Sequence, residues 1–116
     1  MSRQPLPNRR PCVTTDTDWQ GHPMTVTVGR YLDGTPGEVF ASHPKDSNRN
    51  AEWADNCTGL SIAMQHGIPA DLLGKSFGTV PVWALADGAM VQVDAPASPS
   101  GTIIAAIRDA IEELKE

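Results

Sequence analysis

The segment from Val28 to Phe40 constrains this chain most, because its pattern is typical of two short strands joined by a tight turn. Asp33-Gly34 lies at its centre, and glycine adopts the positive φ angles of a hairpin turn at no steric cost. The flanking segments carry the β-branched and aromatic residues that suit strands. We therefore predict antiparallel strand pairing as the framework of the first half of the chain.

Two further segments extend this framework into a sheet. Residues 12–19 alternate loosely between two faces, and residues 24–28 alternate cleanly, which is the period-two pattern of a half-buried strand. Together with residues 38–42 after the turn, they predict a three-stranded antiparallel meander. A sheet this small must cover one face with another element.

Helical spacing follows in the second half of the sequence. A helix beginning near Asn50 carries one apolar stripe and ends at Gly67, a plausible C′ glycine. That stripe consists of Trp53, Cys57, Leu60 and Met64. Gly59 interrupts the helix at a cost of roughly 1 kcal/mol relative to alanine, so we expect close packing there.

The rest of the chain completes an α+β domain. Residues 1–11 form an extended arm, and Pro69 opens a short second helix. Residues 78–101 form an irregular connection or a second hairpin, with Pro81 on an edge. The last helix covers residues 102–115, with Ser100 as its N-cap. We expect a three-stranded meander, with or without that hairpin, covered by two or three helices, and each of the three tryptophans (Trp19, Trp53, Trp83) anchoring part of the core.

Length and charge limit the classes of function. The 116 residues make one domain, and the net charge is −5, with +1 on residues 1–50 and −6 on residues 51–116. This distribution argues against general nucleic-acid binding, which requires a basic stripe. The sequence has neither a secretory signal nor a membrane-spanning apolar run, so we expect a cytoplasmic location.

Catalytic and metal-binding patterns are missing from the sequence. Walker, GxSxG and HExxH motifs are all absent, and we predict no catalytic residues and no cofactor. Cys12 and Cys57 are too far apart for a redox or metal motif, and we interpret them as free thiols. A zinc site formed by these cysteines with His22 and His43 lacks the paired spacing of zinc ligands.

Several polar residues are candidates for binding. The adjacent guanidiniums of Arg9 and Arg10 suit a phosphate or a carboxylate, or they tie the arm to the acidic helices. Glu38, taken alone, is a surface carboxylate, and Gln65-His66 either binds a ligand or hydrogen-bonds to the meander. An acidic patch at the last helix faces a partner or serves solubility, and it comprises Asp109, Glu112 and Glu113.

Three blocks of sequence carry a family resemblance: residues 6–10, residues 28–40 and residues 60–69. Over residues 5–77 the chain resembles the TSCPD-type domain of class II (vitamin B12-dependent) ribonucleotide reductases, and it is most similar to short standalone relatives from alphaproteobacteria and their phages. In the reductases this domain is an appendage separate from the catalytic barrel, so the resemblance implies no ribonucleotide reduction by this chain. It carries over to Arg9, Arg10, Gly29, Asp33, Gly34, Gly37, Glu38, Phe40, Gln65, Gly67 and Pro69.

These observations favour a non-catalytic protein-binding or regulatory module, related to the accessory domain of the reductases. A second hypothesis is a small-ligand sensor that holds a nucleotide phosphate with Arg9, Arg10 and Arg30. A third is a phage- or mobile-element-encoded inhibitor whose acidic face blocks a nucleic-acid-processing complex. A homodimer through an exposed sheet edge is a further alternative.

Overall fold

A computed structural model describes residues 3–43 and 47–114, and the side chains of residues 47, 48 and 112–114 lie outside that description. The elements along the chain are β1 (Cys12–Trp19), β2 (His22–Arg30), β3 (Pro36–Ser42), α1 (Ser47–Gln65), α2 (Ala70–Gly74), β4 (Thr79–Ala86), β5 (Ala89–Pro96) and α3 (Pro99–Leu114). This is the predicted α+β architecture.

The predicted meander is present, with strands in the order β1-β2-β3 and antiparallel pairing throughout. A two-residue turn at Gln20-Gly21 joins β1 to β2, and both residues adopt positive φ angles. The register between β2 and β3 shifts at Gly29/Arg30, which marks a β-bulge next to the second turn.

The turn at Asp33-Gly34 is longer than a two-residue hairpin. The Tyr31 amide donates to the Thr35 carbonyl at 2.9 Å, so the loop closes over five residues. The Asp33 carboxylate accepts bonds from the Thr35 amide at 3.0 Å and from its hydroxyl at 2.7 Å, which is an Asx turn. Gly34 alone in this turn needs a positive φ, at 92°.

One core fills the space between the meander and the helices. The inner face of β2 and β3 is apolar, α3 contacts all three strands of the meander, and α1 lies along β3. The most deeply buried side chains are Trp53, Met24, Ile103, Ile107, Val26, Val28, Val39 and Cys57. The predicted stripe of α1 is therefore its buried face, and Ile103, Ile104 and Ile107 supply that of α3.

The helix ends differ in part from prediction. α1 begins at Ser47, before the expected Asn50. Its end is as predicted: Gly67 has φ 91°, and its amide bonds to Met64 in a Schellman motif. α3 begins at Pro99, not Thr102, because proline suits the first helical position. The capping oxygen there is that of Ser98, which accepts from the Gly101 amide at 3.2 Å, and Ser100 lies within the helix.

A ladder of side chains from α1 closes the free edge of β3. The Ser61 hydroxyl accepts from the Val39 amide at 2.9 Å, and the Gln65 amide group donates to the Gly37 carbonyl at 2.9 Å. The Ala41 backbone hydrogen-bonds to Cys57 one helical turn earlier. Four helical residues rise about 6 Å, and two strand residues rise about 6.6 Å. The two repeats match, and side chains of α1 therefore meet β3 at Gly37, Val39 and Ala41.

β4 and β5 form a separate two-stranded ribbon, so residues 78–101 do contain the second hairpin. Asp87 and Gly88 form its turn with φ angles of 51° and 81°. Trp83, expected in the core, is 66% exposed on this ribbon, because no helix covers it. The ribbon contributes to a radius of gyration of 14.8 Å, against about 13 Å for a compact chain of this length.

Candidate functional site

The N-terminal arm is bound to the sheet by a buried carboxylate. Arg10 forms a bidentate ion pair with Glu38, its Nε to Oε1 and its Nη2 to Oε2 at 3.0 Å. Its Nη1 also donates to the Pro7 carbonyl at 2.8 Å. The ion pair with Glu38 raises the pKa of Arg10 above its usual value. Glu38 is 8% exposed, so it is not the surface carboxylate that the sequence suggested, and the partner of Arg10 lies on β3 and not on an acidic helix.

Gln65 fastens the arm to the end of α1. Its side-chain oxygen accepts from Arg3 Nε, and its backbone carbonyl accepts from the Gln4 amide at 2.8 Å. The Tyr31 hydroxyl donates to the Gln4 carbonyl at 2.6 Å, which ties the turn after β2 to the same point. We call this set the arm clamp: Arg3, Gln4, Arg10, Tyr31, Glu38 and Gln65. The interpretation that Gln65 hydrogen-bonds to the meander holds, since it contacts Gly37.

Two glycines make room for the clamp. A Cβ at Gly29 would lie 2.7 Å from Cγ of Glu38, and closer still to its carboxylate. A Cβ at Gly37 would lie 2.6 Å from the Tyr31 ring and 2.8 Å from Leu6. Both glycines belong to the blocks that carry the family resemblance, and steric room explains them without a ligand.

The three arginines proposed for phosphate binding occupy different environments. Arg10 is engaged by Glu38, while Arg9 is exposed on the arm. Arg30 is 9% exposed at the end of β2, and its Nε and Nη1 have no hydrogen-bond partner in the described part of the chain. A buried guanidinium without a partner is costly, so Arg30 has unused hydrogen-bonding capacity.

A cleft of about 560 Å³ opens beside the arm clamp, between the turn after β2, the end of α1 and the start of α2. Its apolar lining includes Tyr31, Met64, Ile68 and Ile111. The carboxylates of Asp33 and Asp71 also line it, and the cleft contains no arginine or lysine from the described residues. This composition suits a ligand with an apolar group and a positive charge, not a phosphate.

Sequence reasoning missed this cleft. Its residues come from four separate segments, and no linear spacing brings them together. The one local signal is Gly67-Ile68-Pro69, where the Schellman turn directs an isoleucine outward and leaves it 37% exposed. Of the predicted candidates, His66 is half-buried at the end of α1, beside the cleft residue Gly67.

Asp109, His22 and His43 do not line the cleft. Asp109 is exposed on α3, and the side chains of Glu112 and Glu113 lie outside the described residues, so the acidic patch stays a prediction. The rings of His22 and His43 lie 6.1 Å apart, between Trp19 and Trp53. Among the described residues, no three histidine, cysteine or carboxylate side chains cluster in a way that suits a metal ion. None of the helices within residues 3–43 and 47–114 has the length and apolarity to cross a membrane.

The three-stranded meander, the helix along its edge and the clamped arm define a small α+β domain. Residues 2–115 match the model of the TSCPD domain, and the chain belongs to that family. The match extends beyond residues 5–77, so the ribbon and α3 are part of the domain.

The chain is also similar to a curated protein. It is 37% identical, over 76 residues, to the vitamin B12-dependent ribonucleotide reductase of Rhodopirellula baltica. The matching stretch covers 65% of this chain and 7% of the reductase. No solved structure matches the chain. The chain therefore corresponds to a small segment of a much larger protein, as its resemblance to an accessory domain implied.

Proposed function

We propose that this chain is a non-catalytic binding module that docks onto the catalytic chain of a vitamin B12-dependent ribonucleotide reductase. The relationship supports this partner, because the similar segment of the relative is 7% of one polypeptide named as that reductase. In the relative, the similar segment is part of the reductase polypeptide. On this proposal, the present chain instead binds the reductase as a separate polypeptide.

The observation that carries the proposal is the cleft beside the arm clamp. Its volume of about 560 Å³ accommodates two or three side chains of a peptide segment. Most of the lining is apolar, and Asp33, which also lines the cleft, is held ionised because hydrogen bonds from Thr35 lower its pKa. The second carboxylate, Asp71, pairs with Arg108 at 2.9 Å, but both side chains are exposed and such pairs exchange readily.

The occupant that fits this cleft is a segment with one or two apolar anchors flanked by lysine or arginine. Apolar contacts with Ile68 and Met64 supply affinity, and the carboxylates select the charge of the partner. Binding that depends on these exposed charges weakens as ionic strength rises.

The test is calorimetric titration of this chain into the purified reductase of the same organism. Ile68→Asp places a charge on the cleft wall, and we expect it to weaken binding at least tenfold. Phe40→Asp is the matched control, because Phe40 is 58% exposed on the outer face of the sheet and does not line the cleft. Circular dichroism of both variants verifies folding.

A Kd that Ile68→Asp leaves unchanged would exclude the cleft as the docking site. No binding of the wild-type chain to the reductase would exclude the partner. Asp33→Asn should reduce the salt dependence of binding, whereas a purely apolar contact would be indifferent to it.

A nucleotide sensor is the second candidate, and Arg30 is the observation that favours it. Its unpartnered Nε and Nη1 suit a phosphate oxygen. A thermal-shift assay with nucleoside mono-, di- and triphosphates tests this. A stabilisation that Arg30→Met removes would replace the protein-binding proposal, whereas indifference to every nucleotide would eliminate the sensor.

A further inference from the structure

The β4–β5 ribbon is a separate two-stranded sheet with exposed apolar side chains. A lone two-stranded hairpin is marginal in water, and three or more strands, or a helix against one face, are normally needed. Outside the ribbon itself, its main contact is between β5 and α3. Six large apolar side chains on the ribbon are 36–73% exposed: Val82, Trp83, Leu85, Met90, Val91 and Val93.

The backbone of the ribbon has two free edges, and the turn determines which groups point outward. Ala86 and Ala89 flank the two-residue turn and exchange backbone hydrogen bonds across the ribbon. Every second pair beyond them does the same. The residues of the intervening pairs therefore point their N–H and C=O groups away from the ribbon. On β4 the outward set includes Pro81, which has no N–H, whereas on β5 Met90, Gln92 and Asp94 present both groups.

The other edges of the fold are closed or protected. α1 closes β3 with side chains, as described above, and Pro81 interrupts β4. β1 carries Asp16 and Asp18 beside its free edge, and charges of this kind discourage strand pairing. Within the described chain, the outer edge of β5 is thus the one sheet edge that neither a proline, nor a covering helix, nor a pair of charged residues protects. Its one charged residue is Asp94, near the end of the strand.

We propose that a second copy of this chain adds to β5, giving a four-stranded antiparallel sheet β4-β5-β5′-β4′ about a two-fold axis. Centring the axis on Gln92 pairs Gln92 with its own copy and Met90 with Asp94 of the second copy. This register uses all three outward positions and forms about six backbone hydrogen bonds.

The positions of the charged and apolar side chains on β5 agree with this occupant. In the proposed register the two Asp94 carboxylates stand four residues apart, about 13 Å, beyond the reach of strong repulsion at physiological salt. Val91 of one copy lies beside Val93 of the other. The contact between the two β5 strands therefore adds apolar side-chain packing to the backbone hydrogen bonds.

The first test is the mass of the purified chain by sedimentation equilibrium across a hundredfold range of concentration. We expect a dimer for wild type and a monomer for Gln92→Pro, because proline removes the central outward N–H without touching the β4–β5 bonds. Gln92→Ala retains that N–H and should stay dimeric. Thr14→Pro, which removes an outward N–H from β1, is the matched control on the other open edge.

The second test reports the register. In a Cys12→Ser background, Gln92→Cys should form an intermolecular disulfide under mild oxidation, because paired Cα atoms about 5.5 Å apart suit that bond. Trp83→Cys, directly across the ribbon from Gln92, lies too far from its copy and should remain reduced.

A wild-type chain that is monomeric at every concentration would overturn this proposal, as would a dimer that Gln92→Pro leaves intact. Cross-linking at residue 83 but not at residue 92 would move the interface off the β5 edge. The monomeric Gln92→Pro chain should still bind the reductase through the cleft, so failure of either proposal is recognisable without the other.

Discussion

At the scale of single residues, the two cysteines differ sharply in reactivity. Cys12 is exposed at the start of β1, whereas Cys57 is 2% exposed against the inner sheet. Burial raises the pKa of Cys57 to about 11, and the hydrogen bond from Ala41 offsets only part of that effect. The thiolate is the reactive form, so Cys57 is protected by both access and protonation.

We therefore predict that a disulfide reagent such as DTNB at neutral pH labels one thiol of the native chain rapidly. The second thiol should react only after unfolding in guanidinium. Cys12→Ser should abolish the rapid phase. Rapid labelling in that variant would contradict the burial of Cys57.

Substitution by alanine should have opposite effects on stability at two glycines, Gly29 and Gly59. Gly29→Ala forces a Cβ into Glu38, which Arg10 holds in place, so we expect a loss of about 1–3 kcal/mol in the free energy of unfolding. Gly59→Ala should instead stabilise α1 by roughly 1 kcal/mol, because a Cβ there meets nothing within 4 Å. The expectation of close packing at Gly59 is therefore wrong.

Urea denaturation of both variants measures these effects side by side. Changes of opposite sign in the free energy of unfolding are the expected outcome, with unchanged slopes against urea concentration. If Gly29→Ala left the free energy of unfolding unchanged, the Glu38 side chain and its ion pair with Arg10 would be able to shift at little cost. A destabilised Gly59→Ala would mean that α1 is covered at that position in solution.

At the scale of elements, the ladder between α1 and β3 is the contact to test. Ser61→Ala removes the partner of the buried Val39 amide, and an unsatisfied buried donor costs about 1–3 kcal/mol. Thr58→Ala is the control, because its hydroxyl bonds only to the Ala54 carbonyl on the exposed face of the same helix. Hydrogen exchange should show faster exchange at Val39 in Ser61→Ala alone, and equal rates in both variants would argue against the ladder.

Local patterns predicted the elements well where short-range rules govern them. The alternation of residues 12–19 gave β1 with its observed bounds, and the Schellman glycine fixed the end of α1. The N-cap of α3 was misplaced by two residues because Pro99 dominates its first turn. The edge ladder was beyond prediction, since it depends on which strand the helix lies against, and sequence spacing carries no such information.

At the scale of the whole molecule, stability should fall in alkaline solution. Tyr31 and Cys57 are acids whose pKa values are raised in the folded state, mainly by burial. Such an acid keeps its proton in the folded chain at a pH where the unfolded chain releases it. Its stabilising contribution is therefore complete below the unfolded pKa, near 9 for cysteine, and is lost as pH rises through the folded value.

From Cys57 alone we expect a loss of about 2 kcal/mol in the free energy of unfolding between pH 9 and pH 11. Urea unfolding at several pH values measures it. Cys57→Ser should flatten this pH dependence, whatever its effect at neutral pH, and Tyr31→Phe should flatten the remainder. A pH dependence identical in wild type and Cys57→Ser would contradict the assignment.

The candidate site was predictable only in part. Arg10, Glu38 and Gln65 stand out in the sequence because they are polar residues within the family-like blocks, but their pairing with one another arises from the fold. The cleft and the exposed ribbon depend on how separate segments meet and on what fails to cover them. Trp83 illustrates the limit. A tryptophan in an apolar strand predicts burial, yet Trp83 is exposed, because the sequence does not show which element, if any, packs against it.

The matched repeat of α1 and β3 also bears on how this family can diverge. Inserting a single residue between Cys57 and Gln65 would turn the following side chains about 100° around the helix and away from the strand. A deletion between Gly37 and Ala41 would swap the two faces of β3. Length variation among homologues should therefore accumulate in the loops and in the ribbon, while these two segments keep a constant length even where their residues change.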